Sequence, residues 1–575
     1  MKISGGKAVL EAVKREGIGH MFGFPGGAVL PFYDEIAAET GLVHILTRHE
    51  QGAGHAAEGY ARASGKTGVC VSTSGPGGTN LTTPVADAFL DSIPILAITG
   101  QVVTDLIGND AFQEADLFGI MMPITKHNFK VLDANELPHI LKMAFKLTHT
   151  GRPGPVHIDL PKDVQSAIID FNYPDDIVIP GYQPNLRGHP NQIKRAAEML
   201  VNAERPLLLG GGGLISSSAH QEFTALAEML ACPAVTTLMA KGAMDENHPL
   251  HLGQPGMHGR QVANYAIQNA DLILAVGCRF DDRITGKVQT FAPHAKIIHI
   301  DIDTAELGKN VAATLPIVGD ARLVLQDLLA MLKKLNAKAA DTEWKKRVHA
   351  IKEACNCNYA YEETPIRPER ILYELGLCAP KNSIFVTEVG QHQMFAMHFI
   401  KVDGPRKYIS SGGLGTMGFG LPAAIGAKAA RPDATVIDIS GDGSLLMVNQ
   451  EMATAVESNL PVVITVFNNS WLGMVRQWQK MFFGKRYSGT HLGQSPDFVK
   501  LAEAYGGEGV RIEKPGEIKE GFERAFKANH LFLLEIDIDP EWDCLPMVPP
   551  GGSNSGMIPS KACTNVVKKM HEYKY

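Results

Sequence analysis

The chain has little excess charge, no long apolar run and few cysteines, and each shortage excludes a class of function. Lys and Arg number 54 against 61 Asp and Glu, for a formal net charge of −7, so no nucleic-acid partner is expected. No basic run is long enough to hold an anionic membrane surface. No uninterrupted apolar span reaches the ~20 residues that cross a bilayer, so no membrane partner is expected either. The eight cysteines are scattered. Cys355 and Cys357 form a Cys-x-Cys, but no second pair stands at zinc-like spacing, and the pair reads as part of a helix. Reduced thiols in a cytoplasmic setting are the expectation. Met1-Lys2-Ile3-Ser4-Gly5-Gly6 enters a helix pattern at once, so neither a secretory leader nor a transit segment is expected. No short repeat is present.

With 45% hydrophobic and 20% charged residues over 575 positions, the chain reads as a soluble globular protein of three or four domains. Apolar runs of strand length alternate with helix-length segments, which predicts α/β architecture with parallel sheets. In the first third the clearest strands are 68–73, 94–99 and 156–160, followed by a polar, proline-bearing linker at about 165–190. A second set holds strands at 206–209, 272–276 and 297–301. Helix formers and charge dominate 326–352, and 365–368 marks another joint. A third set runs from a strand at 384–387 to one near 531–536. The first and third sets match in size and strand content, which allows a repeated fold. Beyond Pro549 the Gly/Ser-rich tail reads as mobile, ending in a short basic helix.

The stretch from 434 to 469 is the most informative. A strand at 434–439 feeds Gly441-Asp442-Gly443-Ser444, and an amphipathic run leads to an apolar strand at 462–467 and then Asn468-Asn469. Glycines let backbone approach a phosphate, and the helix that follows offers free N–H groups to it. Asp442 and Asn469 fall at the ends of neighbouring parallel strands, where such sheets bind ligands. A carboxylate, an amide oxygen and phosphate oxygens make a hard-oxygen site suited to Mg2+. This spacing resembles the diphosphate-binding signature of thiamine-diphosphate enzymes.

Other stretches agree with it. They are Phe22-Gly23-Phe24-Pro25-Gly26-Gly27-Ala28, Arg48-His49-Glu50-Gln51, Thr73-Ser74-Gly75-Pro76-Gly77, Ala111-Phe112-Gln113-Glu114, and Gly151-Arg152-Pro153. Further on come Asp159-Leu160-Pro161-Lys162-Asp163, Gly256-Met257-His258-Gly259, Arg279-Phe280-Asp281-Asp282-Arg283, Gly390-Gln391-His392-Gln393, residues 413–420, and Met474-Val475-Arg476-Gln477-Trp478-Gln479. Together they resemble the catalytic large subunit of acetohydroxyacid (acetolactate) synthase, over about 3–557. The resemblance implies three doubly wound parallel-sheet domains. These are an aminopyrimidine-binding domain (1–165), a central FAD-binding domain (190–335) and a thiamine diphosphate/Mg2+ domain (365–545), followed by a mobile tail (546–575).

The resemblance also assigns residues. Glu50 sets a carboxyl beside the aminopyrimidine ring, and Met417 props the cofactor in its bent shape, a role a deformable thioether suits. Val389, Gly390, Gln391, His392, Gly415, Gly441, Asp442, Gly443, Ser444, Asn469, Trp471, Gly473 and Met474 match the rest of the thiamine diphosphate site. Asp442, Asn469 and the Trp471 carbonyl match the Mg2+ ligands. Gly27, Ala28, Phe112, Gln113, Lys162 and Met257 match positions around the substrate channel. Arg283 matches the residue that pairs with the acceptor carboxylate, and Trp478 the one that favours 2-ketobutyrate over pyruvate. FAD, with a structural role, is implied at Arg152, Gly211, Gly212, Met257, His258, Gly277, Arg279, Asp281, Arg283, Asp301, Ile302, Gly319 and Asp320. Gly210 to Gly213 is a phosphate-friendly turn but no clean Gly-x-Gly-x-x-Gly.

Taken singly, Glu50 also reads as a surface ion pair with Arg48 or His49, Met417 as packing, Trp478 as an interface aromatic and Lys162 as a solvated loop lysine. The expected reaction decarboxylates pyruvate and joins the two-carbon unit to pyruvate or 2-ketobutyrate, the first common step toward valine, leucine and isoleucine. A thiamine-dependent decarboxylase or oxidase, which shares Glu50, Asp442 and Asn469 but needs no acceptor pocket, is the nearest rival. A homodimer or homotetramer and a separate small regulatory subunit are the implied partners.

Overall fold

The computed structural model describes the chain except residues 339–341, 356–358, 494–495, 561–563 and 574–575; Cys357 lies outside the described residues. The first unit carries β1 (Lys2–Ser4), β2 (His20–Gly23), β3 (Val43–Leu46), β4 (Gly68–Ser72), β5 (Ile95–Gln101), β6 (His127–Lys130), β7 (Val156–Pro161) and β8 (Ile168–Asp170). The second carries β9 (Pro206–Gly210), β10 (Ala234–Thr236), β11 (Leu272–Val276), β12 (Lys296–Asp301) and β13 (Leu315–Val318). The third carries β14 (Ile384–Thr387), β15 (Tyr408–Ser410), β16 (Val436–Gly441), β17 (Val463–Asn468), β18 (Glu508–Ile512) and β19 (Phe532–Asp537).

Three parallel sheets result, in the orders β3-β2-β4-β5-β7-β6, β10-β9-β11-β12-β13 and β15-β14-β16-β17-β19-β18. The first and third orders are the same, so the fold is repeated. In every sheet the order reverses at the strand that comes first in sequence, and the crevices between β2 and β4, β9 and β11, and β14 and β16 are the switch points where such sheets take ligands. The central strands β4, β5, β7, β9, β11 and β16 are buried along their whole length. That two-sided burial is why they read as continuous apolar runs rather than alternating ones.

Two departures from expectation concern the ends. Ile168–Asp170, placed in a linker by its prolines and polar neighbours, is a strand that pairs antiparallel with Lys2–Ser4, ahead of the first helix. Ser4 then caps that helix by accepting the Lys7 N–H at 3.0 Å. The tail, expected to be free, is seated: Val548 N–H donates to the Met257 carbonyl at 2.7 Å, and Lys287 N–H to Gly552 at 2.9 Å. Its last helix, Thr564–Glu572, packs on the helices Gln261–Asn269 and Glu343–Glu353.

The first and third units meet through the helices Glu50–Ser64 and Gly420–Ala430. Small residues permit this approach. A Cβ on Gly59 would stand 2.0 Å from the Ala423 carbonyl, and one on Gly426 1.8 Å from the Ala56 carbonyl.

Candidate active site

At the switch point of the third sheet the chain leaves β14 through Val389-Gly390 and β16 through Gly441-Asp442. Val389, Gly390, Gln391, His392, Met417, Gly441, Asp442, Gly443, Ser444, Asn469, Trp471, Gly473 and Met474 all line one cleft of about 470 Å3. Gly415 does not; it sits exposed in the loop before Met417. Asp442 is 2% exposed, and its Oδ2 has no hydrogen-bond partner among the described residues. Burial pushes its carboxyl up to about 6 against the pull of backbone N–H groups from Gly443, Ser470 and Asn469. Asn469 Oδ1 accepts the Trp471 N–H at 2.9 Å, which aims that amide at the cleft while Asn468 turns away to Glu535. A buried carboxylate oxygen without a donor, beside an amide oxygen, is a donor set that fits Mg2+.

The cleft also suits phosphate. The helix Gly473–Phe482 presents its N-terminal turn to it, with no side chain capping the free N–H groups. Burial holds His392 neutral, down to about 3, and its Nε2 is unpartnered among the described residues. Gly441 is required here: a Cβ would lie 2.7 Å from His392 Nδ1. Gln391 and Ser444 are less free. Gln391 Nε2 donates to Gln477 Oε1 at 2.7 Å, and the Ser444 hydroxyl exchanges hydrogen bonds with the Gly441 backbone.

Met417 is held from both sides by acids that sequence reading did not single out. Glu388, fully buried after β14, accepts the N–H groups of Gly418 and Gly420, each at 2.8 Å. On the other side the Ser411 hydroxyl accepts the Gly415 and Thr416 N–H groups at 3.1 and 2.9 Å and donates to Asp87 Oδ1 at 3.0 Å. Asp91 accepts the Gly412 and Gly413 N–H groups at 3.0 and 2.7 Å and the Arg62 guanidinium at 2.8 Å. Arg62 also reaches Glu58 at 3.1 Å. Thus a buried charged cluster of the first unit grips the loop of the third. His55, Glu58 and Asp87 gather their ligand atoms within 4.8 Å of one another, but the Arg62 cation already stands there.

Glu50 opens the helix Glu50–Ser64. It forms no ion pair with Arg48, which bridges to Glu457 at 2.5 Å. Its Oε2 accepts from Asn80 Nδ2 at 3.0 Å, and its Oε1 looks over Gly77, where a Cβ would come within 3.2 Å. Burial, and then the Glu50 charge, raise the Tyr33 hydroxyl and keep it protonated. Glu451 braces this corner by accepting the Arg48 N–H at 3.1 Å. Within one chain Glu50 does not line the Asp442 cleft. Gly27 and Ala28 lie in the turn after β2, where the Ala28 carbonyl accepts from Gln165 at 2.8 Å. Gln113, in left-handed backbone at φ 59°, crosses over Gly75, and Phe112 stands 88% exposed beside it. Lys162 starts a short helix at the end of β7 and is half-buried.

A larger cleft, of about 970 Å3, opens at the switch point of the second sheet. Arg152, Gly211, Gly212, Gly277, Arg279, Asp281, Asp301, Ile302, Gly319 and Asp320 line it, with Ser92, Thr237 and Met239, which sequence reading missed. The glycines let two turns touch, since a Cβ on Gly211 would stand 2.1 Å from the Gly277 carbonyl. Arg152 is ion-paired with Asp303 and Glu306 at 3.2 and 2.8 Å. Asp301 ends β12, and burial raises its carboxyl to about 6. An acid at a strand end beside glycine turns fits a nucleotide ribose and phosphates.

Met257, His258 and Arg283 lie outside that cleft. Arg283 is 55% exposed, and its Nη1 contacts Met257 Sδ at 3.3 Å under the seated tail. Both ring nitrogens of buried His258 lack a partner among the described residues, and burial lowers it to about 4. Trp478 sits four residues after Met474 on the helix Gly473–Phe482, hence on the same face. It does not line the Asp442 cleft, and its buried indole Nε1 is unpartnered among the described residues.

The fold and the Asp442 cleft define a thiamine-diphosphate enzyme, and three family models agree. The thiamine pyrophosphate enzyme N-terminal TPP-binding domain matches residues 3–120, the central domain 193–328 and the C-terminal TPP-binding domain 388–536. A probable acetolactate synthase large subunit of Methanocaldococcus jannaschii is 54% identical over 565 residues, 97% of this chain and 95% of the relative. The acetolactate synthase large subunit of Corynebacterium glutamicum is 48% identical over 563 residues, 96% of this chain and 90% of the relative. The acetolactate synthase of Arthrospira platensis is 46% identical over 568 residues, 97% of this chain and 98% of the relative. The chain belongs to the acetolactate synthase large-subunit family. It is an enzyme of thiamine-diphosphate-dependent acetolactate synthesis. No helix among the described residues is long and apolar enough to cross a membrane.

Proposed function

We propose that this chain decarboxylates pyruvate and joins the two-carbon unit to a second pyruvate or to 2-ketobutyrate. When bound, thiamine diphosphate supplies the nucleophilic carbon and the electron sink for loss of carbon dioxide. The residues that would hold its diphosphate are Gln391, His392, Gly443, Ser444, Gly473 and Met474, with Mg2+ on Asp442, Asn469 and the Trp471 carbonyl. The observation that carries this reading is the buried, donor-less Oδ2 of Asp442, set beside Asn469 and facing a helix N-terminus.

Glu50 would hold or move a proton at the ring nitrogen of the same cofactor. Among the described residues its side chain is met by Asn80, a neutral amide that brings no charge to the carboxyl. Met417, gripped by its loop, would fix the cofactor's shape. Arg283 would pair with the acceptor carboxylate through its planar fork, and Trp478 would sort acceptors by one methyl group, worth about 1–3 kcal/mol. Gly27, Ala28, Phe112, Gln113, Lys162 and Met257 would border the substrate path. FAD would fill the larger cleft in a structural role, with Asp301 on the ribose. A small regulatory subunit is a further expected partner. Cys70, Cys232, Cys278, Cys378 and Cys544 are free thiols, which suits a cytoplasmic enzyme.

Glu50 does not line the Asp442 cleft of its own chain, and on this reading a second copy would bring the two halves together in a homodimer. Glu50→Gln and Asp442→Ala, each inactive alone, test this by co-expression. Random pairing puts one intact site in half of the dimers and restores about a quarter of wild-type acetolactate formation. No recovery would refute the shared site.

A further inference from the structure

A third cleft, of about 710 Å3, lies where the second sheet, the helix Gln391–Phe399 and the C-terminal tail meet. It shares no lining residue with the two clefts above. Leu252, Val262, Pro546 and Val566 give it an apolar wall, and Arg260, Lys352 and Lys401 bring positive charge to it. None of the three cations has a carboxylate within 4.0 Å among the described residues. Arg260 Nη2 donates to the His398 carbonyl at 2.7 Å, Lys352 Nζ to the carbonyls of His248 and Pro249 at 3.0 Å each, and Lys401 Nζ to Asn247 Oδ1 at 3.4 Å.

The one carboxylate on the wall is already engaged. Glu246 accepts from Lys241 and Gln254 at 2.5 Å each and from the Val402 N–H at 3.0 Å. Burial lowers the Lys352 ammonium; Glu353 opposes the shift, and Lys401 and Arg260 add to it by repulsion. His398 lines the same cleft, 7% exposed, with Nε2 unpartnered among the described residues. Burial first, then the charges of Arg260 and Lys241, keep that ring neutral. In a chain of net charge −7, cations converging on a half-apolar space repel one another unless an anion joins them.

We propose that this cleft binds a phosphate-bearing small molecule, its phosphate on Arg260, Lys352 and Lys401 and its body against Leu252, Val262 and Pro546. A guanidinium and two ammonium groups match phosphate oxygens, and the apolar wall suits an uncharged body attached to the phosphate. The ligand would join four parts of the chain: Arg260 of the second unit, Lys352 of the helix Glu343–Glu353, Lys401 of the third unit and Val566 of the tail. Occupancy would therefore stabilise the seated tail, which also touches Met257.

AMP is the probe, titrated calorimetrically into enzyme saturated with thiamine diphosphate, Mg2+ and FAD so that it cannot enter the other two clefts. The expected result is saturable binding, weakened about tenfold or more by Lys401→Gln and by Lys352→Gln, with a rise in melting temperature that both variants lose. Lys401 is exposed, so its variant should fold. Activity without AMP should match wild type in both. Absence of saturable binding at millimolar AMP, or an affinity indifferent to both substitutions, overturns the proposal.

Discussion

Gly426→Ala adds one carbon at the seam between the first and third units. The new Cβ would stand 1.8 Å from the Ala56 carbonyl and 2.9 Å from the Tyr60 nitrogen, where real Cβ atoms essentially never come within 3.0 Å. Both neighbours are backbone of a packed helix, so no side chain can swing aside, and the two helices must part by about 1 Å. Overpacking of this kind costs about 1–3 kcal/mol. The Gly-to-Ala gain in helix propensity, about 1 kcal/mol, opposes it. At so close an approach the clash lies toward the upper end of that range, and the seam should lose up to about 2 kcal/mol.

Activity should fall further than stability. One helix begins at Glu50 and the other follows the Met417 loop, and a misplacement of about 1 Å can cost about 100-fold in rate. Gly376 supplies the control: it lies in the helix Pro368–Cys378 with nothing within 4 Å of its Cβ position. Gly376→Ala should raise stability by about 0.4–1 kcal/mol and leave rate unchanged. Thermal unfolding and acetolactate formation from pyruvate read both variants. Wild-type melting and rate in Gly426→Ala would refute the reasoning, as would equal losses in the two proteins.

Ser411→Ala removes the acceptor of the Gly415 and Thr416 N–H groups and orphans Asp87. The thiamine diphosphate requirement should rise and the rate fall severalfold, with secondary structure by circular dichroism intact; an unchanged cofactor titration would show that the loop holds without it. Burial pushes Glu58 up to about 8, opposed by Arg62. Its folded-state pKa therefore lies above the ordinary carboxylate value, and the stabilisation is full below pH ~4.5 and lost as pH rises through 8. Glu58→Gln should flatten the fall in melting temperature between about pH 4.5 and 8, and an identical slope in both proteins would contradict the assignment. Trp478→Leu should lower the ratio of 2-aceto-2-hydroxybutyrate to acetolactate in a mixed-substrate assay, and an unaltered ratio would remove Trp478 from acceptor choice.

The three sheets were legible because buried parallel strands are apolar on both faces, so 272–276 and 462–467 announce themselves without a partner in view. Asp442 was legible because strand, glycine turn and Asn469 lie within the single stretch 434–469 and carry their own geometry. What holds Met417 and what braces Glu50 were not. Asp87 and Ser411 are 324 positions apart, and Glu451 and Arg48 403 apart; nothing local marks Asp87 or Glu388 as buried, since acids usually mark surface. Ile168–Asp170 was hidden by its polar, proline-bearing context, and its strand exists only because Lys2–Ser4 pairs with it. The seat of the tail was hidden likewise: its glycines describe freedom in isolation, whereas its hydrogen bonds go to Met257, Lys287 and Ile284 of the second unit.

The repeated strand order explains how one fold can serve both ends of a cofactor. The crevice between β2 and β4 corresponds to that between β14 and β16, so Thr73-Ser74 after β4 answers to Asp442-Gly443 after β16. Only the third unit has a carboxylate at that place with an amide oxygen beside it, and only there can a cation neutralise a diphosphate. The first unit instead has a hydroxyl-bearing turn, Gly75 in left-handed backbone at φ 54°, and a carboxyl one strand away at Glu50 beside Asn80. Such a crevice can exchange hydrogen bonds with a neutral heterocycle but has no acid set to anchor a divalent cation. On our proposal the two are complementary halves: the same switch point binds charge where Asp442 stands and binds a ring where it does not, and two copies of the chain facing each other present one of each.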